Sequence, residues 1–398
     1  MLKMTSIITP ELKIRLSPEE RLSCLLITHR DFLDHQKIKI LYEEVGDERT
    51  YAHSLLNQTV SIAADALRII YPNKLFPDHW FKSYESIGRR IQAYMEELDN
   101  VASEFASQDI PLIALKNSGI SRALYPFYGA CPMGDLDVLI SKSLFQKAHD
   151  IMVALGYSLE FRSPLEENTF ENGVMTGGTE YFKTLRSGDL LWFELQWRPI
   201  AGRWISIDRE PKADDLIERS IPISGSQARL LSPEDNLLQV CIHTAKHSFV
   251  RAPGFRLHTD VDRIVRCQKI DWETFITLVN HHRVRTASYF SLALASDLLN
   301  TPVPSEILTH LSPPSWKVKM IRNSILGVGL FDPDGKKWNK FTYLYFVTLL
   351  FDDARDIFKN LFPSFRQIAR ESGNQNLMYL PYGYIKRILT ILWKRNMV

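Results

Sequence analysis

The sequence predicts an α+β fold in which a small α/β unit with a mixed sheet lies between two helical regions. Amphipathic patterns with the period of a helix fill the beginning of the chain and return towards its end. Between them lie short apolar runs separated by turn residues, which are typical of strands. We therefore expect N-terminal helices over 1–107, the α/β unit over 108–225 and C-terminal helices over 226–398.

Composition limits the class of protein. A chain of 398 residues is longer than one core usually needs, and its net charge of +2 predicts no bulk affinity for nucleic acid. The four cysteines show no paired spacing, which argues against a disulfide framework or a zinc knuckle and fits a reducing compartment. The N-terminus lacks the apolar segment of a signal peptide, so we expect a cytoplasmic protein.

The N-terminal region is expected to be a helical platform. One amphipathic helix is predicted over 54–70 and another over 87–105. Neither carries a cluster of residues suited to chemistry.

The α/β unit is predicted element by element from its apolar runs and turn residues. Ser143, with Gln146 three residues later, is expected to cap the longest helix, and Gly156 is expected to end it. The expected order is a strand at 111–115, a short helix at 120–124, a strand at 135–140, a helix at 144–155, a strand at 157–161, a loop at 163–179, and strands at 180–185 and 190–197.

Two carboxylates begin the second of these strands. Asp135 and Asp137 are two residues apart, so an extended backbone points both to the same side. The following apolar residues, Val138 to Ile140, predict that the strand is buried. Two neighbouring carboxylates repel each other unless a cation lies between them, and Mg²⁺ prefers such oxygen ligands. A solvated strand end is the alternative interpretation.

Five short motifs carry a family resemblance. They are Leu115-Lys116, Tyr125-Pro126, Met133 to Ile140, Leu155-Gly156-Tyr157, and Glu194-Leu195-Gln196-Trp197. Together they resemble the bacterial family of uncharacterised nucleotidyltransferases, within the polymerase-β-like nucleotidyltransferase superfamily. The chain departs from the family pattern at Asn117, where a glycine is usual, and at Gln196, where a histidine is usual.

The resemblance implies a transferase that moves a nucleoside monophosphate from an NTP such as ATP to a hydroxyl acceptor. Asp135, Asp137 and Glu194 would be its catalytic residues and would hold Mg²⁺, with two ions expected. Asp189 or Glu180 could take the place of Glu194 as the third ligand.

The nucleotide is expected to contact Lys116, Ser118 and Gly134. Lys116 would meet the β- and γ-phosphates as a point charge, and the backbone N–H groups that follow Ser118 would help to bind anions. A solvated strand end is the alternative for Lys116.

Two other functions remain open. The protein could bind nucleotides without turnover, particularly if Asn117 keeps the phosphates away from the backbone. It could also be a toxin-like enzyme that nucleotidylates a protein or a tRNA.

Several C-terminal features have mainly structural interpretations. His243 and His247 have metal-compatible spacing but no evident third ligand, so polar packing, or contact with a base, is favoured. Asp260 is expected to pair with Arg256 or Lys246. The apolar run at 341–351 is too short to cross a bilayer. The basic amphipathic run at 385–395 is expected to be a docked helix, and peripheral membrane contact is the alternative.

Overall fold

A mixed sheet of seven strands organises the protein. The computed structural model describes residues 16–73, 76–162, 169–199, 204–205, 207–335, 337–361 and 381–385. The strands are β1 Ile113–Ala114, β2 Asp135–Leu139, β3 Ser158–Leu159, β4 Gly178–Thr184, β5 Leu190–Gln196, β6 Ile221–Pro222 and β7 Arg229–Leu230. Their order across the sheet is β3-β4-β5-β2-β1-β7-β6, which leaves β2 in the centre. It pairs in parallel with β5 and antiparallel with β1.

Helices surround the sheet and account for most of the remaining elements. The N-terminal helices are α1 Pro18–Leu26, α2 His35–Val45, α3 Asp47–Leu56, α4 Val60–Ile70 and α5 Asp78–Ala106. Those among the strands are α6 Lys116–Gly119, α7 Phe145–Ala154, α8 Phe170–Thr176 and α9 Ala213–Arg219. The C-terminal helices are α10 Pro233–Lys246, α11 Leu257–Cys267, α12 Trp272–His282, α13 Arg285–Leu299, α14 Ser305–Leu311, α15 Ser315–Val328, α16 Lys340–Leu349 and α17 Ala354–Leu361. The prediction of an α+β fold with a mixed sheet is confirmed.

The two sides of β2 have different environments. Leu136 and Val138 are fully buried in a core formed with α5 and α7. Asp135 and Asp137 point to the opposite side, because side chains alternate along a strand. Burial of one side therefore fixes which way the two carboxylates face.

Two predictions for the helices were wrong. The helix predicted over 54–70 is interrupted, because α3 ends at Leu56 and Gln58 has a left-handed φ of 55°. Asn57 in this break is buried, and its Oδ1 accepts a hydrogen bond from the N–H of Asp332. The cap predicted at Ser143 is absent: its hydroxyl bonds to that of Ser141, and a 3₁₀ turn precedes α7.

The predicted loop at 163–179 was also wrong in part. Residues 170–176 form α8, because the Thr169 hydroxyl caps the helix by accepting from the N–H of Asn172. Residues 163–168 lie outside the described part of the chain. The strands β6 and β7 were not predicted.

The apolar run at 341–351 lies largely in α16, which packs in the C-terminal core. Among the described residues, no helix combines the length and apolar character needed to cross a bilayer. Most of the basic run at 385–395 lies outside the described residues. The four cysteines all lie in the described part of the chain, and none of them forms a disulfide.

Candidate active site

The parallel pairing of β2 and β5 brings the predicted carboxylates together. Asp137 lies beside Glu194 in the register, and Asp135 lies beside Trp192. The antiparallel pairing of β4 with β5 then places Glu180 beside Glu194. Four carboxylates from three adjacent strands therefore share one side of the sheet, at the start of β2.

Asp137 is the most enclosed of these carboxylates, with 7% of its surface exposed. Its Oδ1 accepts hydrogen bonds from Lys116 Nζ and from Gln196 Nε2, each at 2.7 Å. Its own N–H donates to the hydroxyl of Ser118 over 2.9 Å. Burial raises the pKa of Asp137 and the charge of Glu194 raises it further, against the opposing effect of Lys116. The protein therefore holds Asp137 in place on three sides.

Lys116 provides the positive charge next to this group. Burial alone would lower its pKa, but the charges of Asp137 and Glu194 outweigh burial and raise it. The left-handed φ of 50° belongs to Lys116 itself. Asn117 lies in α6 without such a φ, so the asparagine brings no backbone strain to the position where the family has glycine.

Arg162 balances the other carboxylates. Its Nη1 donates to Asp135 Oδ2 over 2.7 Å, and its Nε donates to Glu180 Oε2 over 3.0 Å. Its Nη2 lies 4.0 Å from Glu194 Oε2. Burial raises the pKa of Asp135, as does the charge of Asp137, while Arg162 opposes both. Arg162 was not predicted, because an arginine after a short strand is no signal in itself.

A set of clustered carboxylate oxygens is chemically suited to Mg²⁺. Their present partners, however, are protein cations: Lys116 bonds to Asp137, and Arg162 bridges Asp135 and Glu180. Within the described residues, no three His, Cys, Asp or Glu side chains are arranged to hold a metal ion as they stand. The donor atoms suit Mg²⁺ chemically, and these side chains would have to move for the ion to bind.

A cavity of ≈ 270 Å³ opens beside the carboxylates. The sheet side contributes Lys116, Glu180 and Glu194, and α10 contributes Gln239 and His243. Its further lining residues are Phe161, Thr176, Gly177, Gly178, Gln196, Arg198, Pro199, Ile242 and Lys246. The cavity is therefore formed jointly by the sheet and the first C-terminal helix.

The remaining nucleotide-contact candidates differ in accessibility. Ser118 is buried, and its hydroxyl accepts from the backbone of Asp137. Gly134 is exposed, and a Cβ there would meet no atom within 4 Å. Asp189 lies in the turn before β5, where it accepts from the Ser187 hydroxyl, so it is outside the group of carboxylates that the strand register brings together.

The C-terminal candidates His243, His247 and Asp260 lie in buried surroundings that shift their pKa values. The rings of His243 and His247 pack edge to face with centroids 4.8 Å apart. Burial lowers both pKa values, that of His247 to about 4. Asp260 is 4.0 Å from Arg263 and also feels the charge of Arg256, and burial raises its pKa to about 6. Lys246, the other predicted partner of Asp260, is not among the charges that shift the pKa of Asp260.

A family model described as an uncharacterised nucleotidyltransferase matches residues 52–300. The chain belongs to this family. The matched region runs from α3 to the end of α13, so it includes the whole sheet and the helix α10 that lines the cavity. No curated protein sequence matches the chain. The family resemblance predicted from the five motifs is thus confirmed for this nucleotidyltransferase, and the general activity that the family's description gives is nucleotidyl transfer.

Proposed function

We propose that this nucleotidyltransferase moves a nucleoside monophosphate from an NTP to a hydroxyl acceptor, using Mg²⁺ held by Asp135, Asp137 and Glu194. One observation carries the proposal. The three carboxylates share one side of β2 and β5, next to a cavity that Lys116 and Glu194 line. Bound Mg²⁺ would neutralise phosphate charge and lower the pKa of an attacking hydroxyl.

Lys116 and Gln196 would position the groups that react. Lys116 and Gln196 fix the orientation of Asp137 through hydrogen bonds to the same oxygen. Lys116 also places a positive charge at the cavity, where it would attract the phosphates of an incoming nucleotide. Such positioning and charge balance provide most of the rate in phosphoryl transfer.

The proposal is tested by incubating the protein with Mg²⁺ and NTPs labelled at the α-phosphate, and by measuring pyrophosphate release and labelled products. Asp135→Asn and Asp137→Asn should each reduce the rate by roughly a hundredfold or more, because each removes a charged metal ligand. Asp189→Asn is the matched control and should retain the rate, because Asp189 lies in a turn away from the site. Unchanged rates in both aspartate variants would contradict the assignment.

A second candidate, nucleotide binding without turnover, is favoured by the ion pairs themselves. Lys116 and Arg162 already neutralise the carboxylates that a metal would use. Calorimetry with ATP separates the two functions: binding that is accompanied by no pyrophosphate release supports the second.

A further inference from the structure

Helix α10 places two buried polar atoms without partners at the cavity. Within the described residues, Nε2 of Gln239 and Nδ1 of His243 have no hydrogen-bond partner, and both residues line the cavity. They are four residues apart on one helix, so they share a face. Buried polar atoms in proteins are nearly always paired, and two orphans beside one cavity indicate that a ligand pairs with them.

The orientation of Gln239 is fixed by its other amide atom. Its side chain is only 1% exposed, and its Oε1 accepts from the N–H of Lys116 over 3.3 Å. The NH₂ group is therefore the atom that remains free, and it can only donate.

His243 supplies the complementary group. Burial lowers its pKa well below 6.5, and the neighbouring charge of Lys116 lowers it further, so the ring is neutral at pH 7. Nδ1 accepts in the tautomer with its proton on Nε2 and donates in the tautomer with its proton on Nδ1. One face of α10 thus offers a donor next to a nitrogen that can accept or donate.

The chemistry of this pair selects among ligand groups. A phosphate or a carbonyl can only accept, so it would pair with Gln239 in every case but with Nδ1 of His243 only in the tautomer that carries its proton there. An ammonium group could donate to His243 but would leave the NH₂ of Gln239 unpaired, because it has no acceptor. A hydroxyl satisfies both atoms in either tautomer, because its oxygen accepts and its proton can be donated.

We propose that Gln239 and His243 bind a hydroxyl group of the ligand that fills this cavity. The inference rests on the proposed transfer reaction, which supplies two sources of such a group. One is the sugar of the nucleotide, and the other is the hydroxyl acceptor. Both residues position the ligand in this proposal, and neither takes part in bond making.

The experiment compares His243→Leu, which removes both ring nitrogens, with His243→Asn, whose amide keeps a polar atom near the position of Nδ1. His310→Leu is the matched control, because His310 is exposed near the end of α14 and does not line this cavity. Calorimetry measures the binding of ATP, 2′-deoxy-ATP and 3′-deoxy-ATP with Mg²⁺. A second assay measures pyrophosphate release from ATP with water as the acceptor, and melting temperatures check that each variant is folded.

Two results support the proposal and identify the source of the hydroxyl. If it comes from the sugar, the wild type binds ATP about tenfold more tightly than one of the deoxy analogues. His243→Leu then loses this preference, and His243→Asn retains most of it. If it comes from the acceptor, all proteins bind the three nucleotides equally, pyrophosphate release falls about tenfold in His243→Leu, and His243→Asn recovers most of the rate.

A folded His243→Leu that binds and turns over ATP like the wild type overturns the inference and leaves the proposed transfer reaction intact. Failure of the wild type to bind ATP or any other NTP is a different result, because it removes the transfer reaction and this inference with it.

Discussion

Replacing Arg162 with glutamine should strengthen the binding of divalent metal by this nucleotidyltransferase. The guanidinium of Arg162 bridges Asp135 and Glu180 and lies 4.0 Å from Glu194, so it uses oxygens that the proposed metal needs. A metal ion must displace the guanidinium. The free energy of the ion pairs that are lost therefore weakens the binding of the metal. Glutamine keeps a polar side chain at this position and removes the competing charge.

The size of the effect follows from the exposure of the groups. The side chain of Arg162 is 38% exposed, and those of Asp135 and Glu180 are 29% and 22% exposed. Ion pairs with this much solvent contact contribute about 0.2–1 kcal/mol each. Releasing two of them costs about 0.4–2 kcal/mol, which corresponds to a gain in metal affinity of about two- to thirtyfold in Arg162→Gln.

Titration calorimetry with Mn²⁺ and with Mg²⁺ measures this gain. Arg198→Gln is the matched control, because Arg198 lines the same cavity but bonds to Glu210, at 2.7 Å and 2.5 Å, outside the carboxylate cluster. Its metal affinity should equal that of the wild type. The reasoning is refuted if Asp135→Asn abolishes metal binding while Arg162→Gln binds metal no more tightly than the wild type.

Two further predictions concern stability. Gly119→Ala should lower the free energy of unfolding by about 1–3 kcal/mol, because its Cβ would lie 2.6 Å from Leu230 Cδ1 and 2.7 Å from the Ala114 carbonyl oxygen. Urea denaturation measures the loss, and Gly134→Ala, with open space around its Cβ, should stay within about 0.5 kcal/mol of the wild type. His258 should make the protein less stable in acid. Burial lowers its pKa to about 4, so the unfolded chain, with a pKa near 6.5, binds more protons between these values. Stability should therefore fall from pH 6.5 towards pH 4, with about 2 kcal/mol lost to this group by pH 5. Denaturation at pH 7.5 and pH 5 should show a smaller loss in His258→Gln, and an equal loss in both proteins would contradict the assignment to His258.

Local sequence patterns predicted the centre of the site well. The alternation of Asp135 and Asp137, followed by the apolar run to Ile140, required both carboxylates to lie on one side of a buried strand, and they do. The start of α10 is likewise marked by neighbouring residues, because the Ser232 hydroxyl accepts from the N–H of Asp235 and Pro233 is the first helical residue. These predictions succeeded because each depends only on residues close in the chain.

Partners that are distant in the chain could not be predicted in the same way. The register of β5 against β2 decided that Glu194 rather than Asp189 lies beside Asp137, and register depends on packing of the whole sheet. Arg162 contacts Asp135 from 27 positions away, after α7 and β3 have brought the chain back to the sheet, and no local pattern signals that contact. The strand β7 consists of two residues, too few to show an alternation, and its pairing with β1 and β6 identifies it.

The contribution of α10 to the cavity has a consequence for the order in which the protein is made. Lys116 and Glu194 leave the ribosome before Gln239 and His243, and the backbone N–H of Lys116 bonds to the side chain of Gln239. Because chains fold progressively during synthesis, the carboxylate-bearing strands can pair while one side of the cavity is still missing. A nascent chain can therefore present the acidic side of the site before it can enclose a ligand, and enclosure begins only once α10 has been synthesised and has packed against the sheet.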